Sequence, residues 1–169
     1  MDFSNNVPLA ELCSIKTGKL DANQSVVNGS YPFFTCSKET LMINDYAFDG
    51  EAILIAGNGD LGHTRYYRGK FNAYQRTYVI MDAFANMRYL KCVIDQLLPA
   101  KIHEESQGGA MPYIKLSTLA TLLVPVPSRS LQDWIAEFDA ALTNKIELAE
   151  ESLIKLERLK KGIISQLFI

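Results

Sequence analysis

The last forty residues of the chain, 130 to 169, carry an apolar pattern that a long helix would place along one side. Steps of seven from Ile135 are apolar each time, and a second apolar row runs beside the first. Together these rows, which we call the seam, contain Ile135, Phe138, Leu142, Ile146, Ala149, Leu153, Leu156, Leu159, Ile163 and Leu167. A helix of this length measures about 60 Å, longer than the flank of a small domain. The pattern therefore predicts that the seam packs against another helix.

Both ends of this helix are indicated by the sequence. Pro125 and Pro127 precede it, and Ser130 is the predicted N-cap, with Asp133 three residues later. Acidic residues in the early turns and basic residues near the far end suit the helix dipole. They are Asp133, Glu137 and Asp139, and then Lys155, Arg158, Lys160 and Lys161. We predict one domain over residues 1–128 and a helix over 129–169. The alternative is an amphipathic helix folded back on its own domain, but such helices usually run roughly 8 to 20 residues.

Length and composition restrict the class of protein. The chain has 169 residues and is 48% hydrophobic, enough for one domain with an appendage. Its sequence has neither 18 consecutive apolar residues nor a basic segment followed by an apolar one at the start, which predicts a cytoplasmic protein without a membrane span. Cys13, Cys36 and Cys92 lie far apart and form no C-x-x-C pair. We expect reduced core thiols and no metal site.

One stretch of the chain is basic and aromatic. The net charge is only −2, but no acidic residue occurs between Asp60 and Asp82. His63, Arg65, Arg68, Lys70 and Arg76 alternate there with tyrosine and phenylalanine. Arginine and lysine contact phosphates and also read base edges, so the stretch suits a surface that faces DNA. The alternative is a solvated hairpin with its aromatic residues on the inner face.

The rest of the chain predicts an α/β fold, a mixed, β-rich domain followed by the long helix, which we expect to pair as an antiparallel coiled coil. A short helix is predicted over residues 7–15 and a longer one over 86–98, ending near Pro99. Predicted strands cover residues 31–37, 40–45, 51–57, 64–67, 76–81 and 122–126, and a further short helix covers 116–119. The loop over 106–112 is rich in glycine.

Residues 57–62, GNGDLG, fit the dinucleotide-binding pattern G-x-G-x-x-G. In that motif the third glycine opens a helix whose N-terminus holds a pyrophosphate. Here the residues that follow have the composition of a strand. We therefore predict a tight turn between two strands, although a small cofactor-dependent transferase built on this turn remains an alternative.

The order of segments resembles one known family. The segments are YPFFTCS, GEAILIAGNGDLG, QRTYVIM, YLKCVIDQLL, the loop at Gln107, IKLSTLATLLVPVP, and a helix that opens LQDWIAEFDAAL and closes LKKGIISQLF. In this order and spacing they resemble the specificity subunits of type I restriction-modification systems over nearly the whole chain. The most specific part runs from Gln107 to Phe138.

The resemblance implies a target recognition domain that reads one half of a bipartite DNA sequence, followed by a long spacer helix. The usual member carries two such units in tandem with their helices antiparallel, whereas this chain has one. This departure points to a half-subunit, or to a fragment of a longer subunit, in which two copies pair through the seam. The resemblance also implies no catalytic centre and no cofactor in this chain, because methylation and cleavage belong to partner subunits with sites for S-adenosylmethionine and ATP. The alternative within the same complex is an assembly module that does not read DNA.

The resemblance transfers few individual residues, so the candidates for DNA contact come from the basic stretch and from polar loops. Arg65, Arg68, Lys70 and Arg76 are predicted to contact phosphates or guanines. Asn58, His63 and Tyr66 are predicted to read base edges. Lys16, Lys19, Lys38, Gln107 and Lys115 are second choices.

Overall fold

The computed structural model describes residues 5–106 and 113–167, with side chains to residue 166. Within these ranges it contains eight strands and four α-helices. In chain order they are β1 (Asn6–Pro8), α1 (Leu9–Leu12), β2 (Ser14–Thr17), β3 (Tyr31–Phe34), β4 (Thr40–Ile43), β5 (Phe48–Ala56), β6 (Thr64–Ala73), β7 (Thr77–Met81), α2 (Met87–Glu105), α3 (Leu116–Ala120), β8 (Leu123–Pro125) and α4 (Arg129–Leu167).

Six of the strands form one mixed sheet in the order β2-β7-β5-β6-β3-β4. Only β3 and β6 pair in parallel, and the other neighbours are antiparallel. Strands β1 and β8 form a separate pair, in which Val7 lies opposite Val124. This pair brings residues 5–8 to the point where α4 begins, and it closes the unit formed by the described residues between 5 and 128, which we call the head.

The two faces of the sheet cover two separate cores, because side chains alternate along a strand. On one face Ile53 and Ile80 pack against α2, which buries Leu90, Ile94 and Leu98. On the other face the buried side chains include Phe34, Leu54, Phe71 and Val79. The consecutive residues Ile53 and Leu54 therefore serve different cores, which explains why β5 is apolar at every position from Ala52 to Ala56.

The sheet curls around its second core. Strands β3 and β7 are separated by two strands in the sheet order. Even so, the Thr77 hydroxyl donates to the Phe34 carbonyl at 3.4 Å, and the Cys36 thiol donates to the Arg76 carbonyl at 3.3 Å. Loops that are distant in the sheet order therefore meet at one end of the head.

Several predicted boundaries are wrong, and three of them have a clear physical reason. The predicted helix over 7–15 is a single turn, because residues 6–8 pair with β8 and residues 14–17 pair with β7. The strand predicted over 64–67 continues to Ala73, since β5 pairs with it as far as Phe71 and β3 pairs with its last two residues. The predicted N-cap Ser130 lies inside α4, which begins at Arg129, and the Ser128 carbonyl accepts from the amides of Leu131 and Gln132.

Helix α2 also departs from its predicted end at Pro99. It begins after Asn86, whose side chain accepts from the amides of Arg88 and Tyr89, and it continues through Pro99 to Glu105. Proline costs a helix one backbone hydrogen bond and crowds the preceding turn. The burial of Leu98 and Ile102 against the first core holds the helix together across it.

Helix α4 leaves the head as a stalk. Its first turns dock on the head through Gln132 and Ala136, which are both buried, whereas residues 141–166 are exposed throughout. This arrangement confirms the predicted fold class, a mixed β-rich domain followed by a long helix. In the part of the chain that the structure covers, none of the helices is long and apolar enough to cross a membrane.

Candidate DNA interface

Four loops converge at the end of the head where the sheet curls. We call this region the loop end. It consists of residues 35–40, 57–63, 74–76 and 113–115, together with the side chain of Arg65, which reaches the first of these loops from β6. The Asp60 amide donates to the Cys36 carbonyl, and the Lys38 amide donates to the Asp60 carboxylate, both at 3.0 Å. These bonds tie the β3–β4 loop to the β5–β6 turn. The turn itself requires glycine at positions 59 and 62, whose φ values are +62° and +78°.

The other two loops are tied to the same turn. The Gly57 amide donates to the Arg76 carbonyl at 3.0 Å, and the Ile114 amide donates to the Gly57 carbonyl at 2.7 Å. A side chain at Gly57 would meet the Arg76 carbonyl at 2.3 Å, so glycine is required for this close approach. The loop end is therefore one hydrogen-bonded platform.

Arg65 lies at the centre of this platform. Its guanidinium stacks over the Phe34 ring at 5.2 Å and donates to the Thr40 hydroxyl at 2.6 Å and to the Lys38 carbonyl. Two of its donors bond to this loop, so the side chain helps to order the segment that carries Ser37, Lys38 and Glu39. Those three side chains are exposed.

His63 sits beside Arg65 in a small recess. Partial burial lowers the pKa of His63 below its ordinary value of 6.5, and the positive charges of Arg65 and Lys38 lower it further. The imidazole is therefore neutral at pH 7. A neutral histidine can both donate and accept a hydrogen bond, which suits contact with a base edge.

The lowered pKa of His63 predicts a pH dependence. The unfolded chain binds the proton more readily than the folded one, so stability falls as the pH drops below about 6.5. In the variant His63→Gln, the part of the stability loss that protonation of His63 causes is expected to disappear. Urea unfolding at pH 7 and at pH 5 measures it. An unchanged difference between the two pH values in the variant would contradict the assignment.

The structure brings together half of the predicted DNA-contacting residues. Those at the loop end are Lys38, Asn58, His63, Arg65, Arg76 and Lys115. Those elsewhere on the head are Lys16, Lys19, Tyr66, Arg68 and Lys70. Gln107 lies outside the described residues. The basic stretch is therefore split between surfaces, because strand β6 alternates its side chains between the two faces of the sheet.

Tyr66 points away from the loop end. Its hydroxyl donates to the Glu51 carboxylate at 2.9 Å, and the Arg88 guanidinium lies 4.3 Å from its ring centroid. Burial raises the pKa of Tyr66, and the bond to Glu51 raises it further. Arg68 lies on the same side, 3.8 Å from Glu51, with 76% of its side chain exposed. Tyr66 therefore has protein partners, whereas Arg68 is accessible to a phosphate.

The remaining lysines lie on other parts of the head. Lys70 rests over the Tyr46 ring at 4.5 Å, and the contact with Tyr46 raises the pKa of Lys70. Lys16 and Lys19 border an open cavity of about 440 Å³ whose apolar lining includes Phe48 and Leu20. DNA would contact Lys16, Lys19 and Lys70 only if its path along the head extended beyond the loop end.

One residue at the loop end was not predicted from the sequence. Tyr113 is exposed and lines a recess with Arg76 and Gly57. Its sequence neighbourhood is glycine-rich and has no periodicity, so only the fold shows that it faces the basic side chains. An aromatic ring in this position can stack on a base or on an arginine.

The geometry does not favour cofactor chemistry at residues 57–62. The turn leads directly into strand β6 and so lacks the helix N-terminus that binds a pyrophosphate in dinucleotide sites. Among the residues with assigned positions, no group of three or more histidine, cysteine or acidic side chains is placed to hold a metal. Burial raises the pKa of both Cys13 and Cys92 to about 12, so these thiols stay protonated.

The seam forms a second candidate surface, along the stalk. Seven of its large side chains are between 45% and 63% exposed, namely Phe138, Leu142, Ile146, Leu153, Leu156, Leu159 and Ile163. Ala149 is also exposed, Ile135 is half-buried, and the side chain of Leu167 lies outside the described part. Trp134 stacks on Phe138 at 5.4 Å beside the seam and adds to the apolar area. A continuous apolar face of this extent is characteristic of an interaction surface.

The family model of the type I restriction modification DNA specificity domain matches residues 2–158. The chain belongs to this family. It is 40% identical over 155 residues to the specificity subunit of the type I restriction enzyme EcoDI from Escherichia coli. That match covers 92% of this chain and 34% of the relative, so the chain spans about a third of the relative's length.

Solved structures of the family share the fold. The S subunit of a type I restriction-modification system from M. genitalium matches with a TM-score of 0.72 and 21% identity, over 94% of this chain and 44% of that one. The HsdS subunit from Thermoanaerobacter tengcongensis matches with a TM-score of 0.63 and 15% identity, over 85% and 38%. Each solved subunit therefore has more than twice the length that aligns with this head and stalk.

Proposed function

We propose that this chain is a DNA-recognition unit of a type I restriction-modification specificity subunit and reads one half-site of a bipartite target. The observation that carries the proposal is the combination of a basic loop end with a long helix whose apolar face has no partner within the described chain. The family match extends over both parts. The loop end supplies positive side chains for phosphates and neutral polar ones, Asn58 and His63, for base edges.

The chain is proposed to recognise DNA without catalysing a reaction. Its partners would be methylation and restriction subunits, which carry the S-adenosylmethionine and ATP sites. The chain would direct these subunits to the target, and it needs no cofactor of its own. Backbone hydrogen bonds hold together the loops that carry the basic residues, as expected for a binding surface.

A second copy of this chain is the proposed partner of the seam. The head contacts α4 through Gln132 and Ala136, which lie on average roughly 80° around the helix from Leu142 and Ile146. Both of these seam side chains stay exposed beside the head. Acidic residues dominate the first turns of α4, whereas Lys155, Lys160 and Lys161 lie near its end. An antiparallel arrangement places opposite charges together, and a two-fold axis gives both copies the same interface.

The target predicted from this assembly is two inverted copies of one short half-site around unspecified base pairs. Identical heads related by a two-fold axis read identical sequences on opposite strands. Methylome sequencing of a host with and without the chain would report the motif. A non-palindromic motif would contradict the homodimer, whereas the absence of any new motif would favour an assembly module that does not read DNA.

Deleting one heptad of the stalk, residues 149–155, tests how the heads are spaced. The deletion keeps the seam in phase and shortens each helix by about 10 Å. We expect the methylated motif to keep its half-sites and to lose about three spacer base pairs, at 3.4 Å each. The control deletes residues 149–153, which rotates the rest of the seam by roughly 140° and should abolish pairing. An unchanged spacer after the heptad deletion would contradict a spacing role for the stalk.

A further inference from the structure

The stalk is joined to the head by a network of side-chain hydrogen bonds at the start of α2. Asn86 caps α2 with its side-chain oxygen, which accepts from the backbone amide of Arg88 at 2.9 Å. Its side-chain nitrogen donates to the Asp133 carboxylate of α4 at 2.7 Å. Asp133 also accepts from Arg129 at 3.0 Å, and the bond from Asn86 lowers the pKa of Asp133. One residue therefore caps one helix and binds the next.

Gln132 lies at the buried centre of this network and is only 4% exposed. Its side-chain oxygen accepts from the backbone amide of Asn86 at 2.9 Å, and its side-chain nitrogen donates to the backbone carbonyl of Pro127 at 2.8 Å. The first bond crosses from the stalk to α2, and the second holds the segment that leads into the stalk. Both polar ends of the side chain are used, so the two bonds restrain the orientation of α4 relative to the head.

The network connects the stalk to the loop end through rigid elements. Tyr89 of α2 donates to the Pro125 carbonyl at 2.8 Å, next to the segment that Gln132 holds. Further along α2, the carboxylate of Asp95 accepts from the Thr64 hydroxyl at the start of β6. Arg65 follows Thr64 in the same strand. The direction of the stalk is thus fixed relative to the residues proposed to contact DNA.

We propose that Gln132 is a positioning residue that locks the stalk to the head and so sets how precisely two heads are spaced on DNA. The inference rests on the proposed function, since it concerns the spacing of two recognition heads. Without the carboxamide, the three residues 126–128 would connect head and stalk with fewer restraints. Two heads with loosened stalks would accept targets with different numbers of spacer base pairs.

The test compares Gln132→Met with the unmodified chain, both assembled with the methylation subunit. Methionine keeps the length and apolar packing of glutamine and removes both hydrogen bonds. Binding is measured on duplexes whose half-sites are separated by the preferred spacer or by one base pair more or fewer. We expect the preference for the correct spacer to fall from about tenfold to less than about threefold, with each half-site still required.

A matched control separates positioning from general stability. Val79→Ala opens a cavity in the second core, where Val79 is fully buried, and lowers stability without touching the network. It should keep the spacer preference of the unmodified chain. If both variants relax the preference equally at equal stability, or if Gln132→Met keeps it, the positioning role is overturned.

A second measurement does not depend on DNA. Spin labels introduced as unnatural amino acids at Asp49 on the head and Glu150 on the stalk report their distance within one chain, diluted with excess unlabelled chain. The distance distribution should be narrow in the unmodified chain and broader in Gln132→Met. Asp133→Ala removes only the exposed half of the network and should broaden it less. Equal widths of the distance distribution in the unmodified chain and in both variants would overturn the proposal. If Gln132→Met broadens the distribution but the unmodified chain binds no DNA, the role of Gln132 in holding the stalk is supported and the proposed function is contradicted.

Discussion

A chain with lysine at both Leu142 and Leu156 is expected to be monomeric under conditions where the unmodified chain is a dimer. Both side chains are exposed on the stalk and belong to the seam, so pairing would bury them. Burying an unpaired ammonium group costs several kcal/mol, and about 4 kcal/mol already weakens association about a thousandfold. Light scattering at tens of micromolar measures the change.

The control for this prediction places the same charge elsewhere on the stalk. Asn144 is exposed and lies roughly 160° around the helix from Leu142. The variant Asn144→Lys should therefore remain dimeric. A monomeric unmodified chain would contradict the homodimer, and adding the methylation subunit would then show whether another protein supplies the second helix.

Neutralising Arg65 is expected to reduce sequence-specific DNA binding more than non-specific binding. The guanidinium holds the Lys38 carbonyl and the Thr40 hydroxyl, so Arg65→Gln removes two restraints on the loop over residues 35–40 as well as a charge. We expect a loss of about 1–3 kcal/mol for the cognate duplex. Anisotropy titrations on cognate and scrambled duplexes at several salt concentrations measure both effects.

Arg68 provides the contrasting case, because its side chain is exposed and only weakly paired with Glu51. Arg68→Gln should weaken binding to every sequence equally and lower the salt slope by about one unit if the residue contacts a phosphate. Lys155→Gln removes a charge from the stalk and should change neither quantity. If the double variant of Arg65 and Arg68 keeps the affinity and salt slope of the unmodified chain, DNA binds on another face.

The seam shows what sequence can predict about this protein. Helical periodicity is a local property, since residues three, four and seven apart share a side of the helix whatever surrounds them. The stalk and its exposed apolar face were therefore readable along the chain. The strand that follows residues 57–62 could also be predicted from local sequence, because its composition favours a strand over a phosphate-binding helix.

Boundaries and partners depended on contacts between distant segments. Residues 7–15 have a helical pattern, yet β7 and β8 are available as strand partners, and backbone pairing with them leaves one helical turn. Pro99 marks a helix end in a sequence, but the burial of Leu98 and Ile102 carries α2 past it. In both cases a tertiary contact outweighs a local preference of comparable size.

The sequence by itself determined the long helix, its seam and the basic character of residues 63–76, since these follow from residue type and period. Only the tertiary structure decided which basic residues meet. Arg65 and Tyr66 are neighbours in sequence, but the alternation of β6 sends one to the loop end and the other towards α2. The lock at Gln132 likewise depends on Asn86, 46 residues away, because a buried carboxamide acquires its role from whatever polar groups the fold places around it.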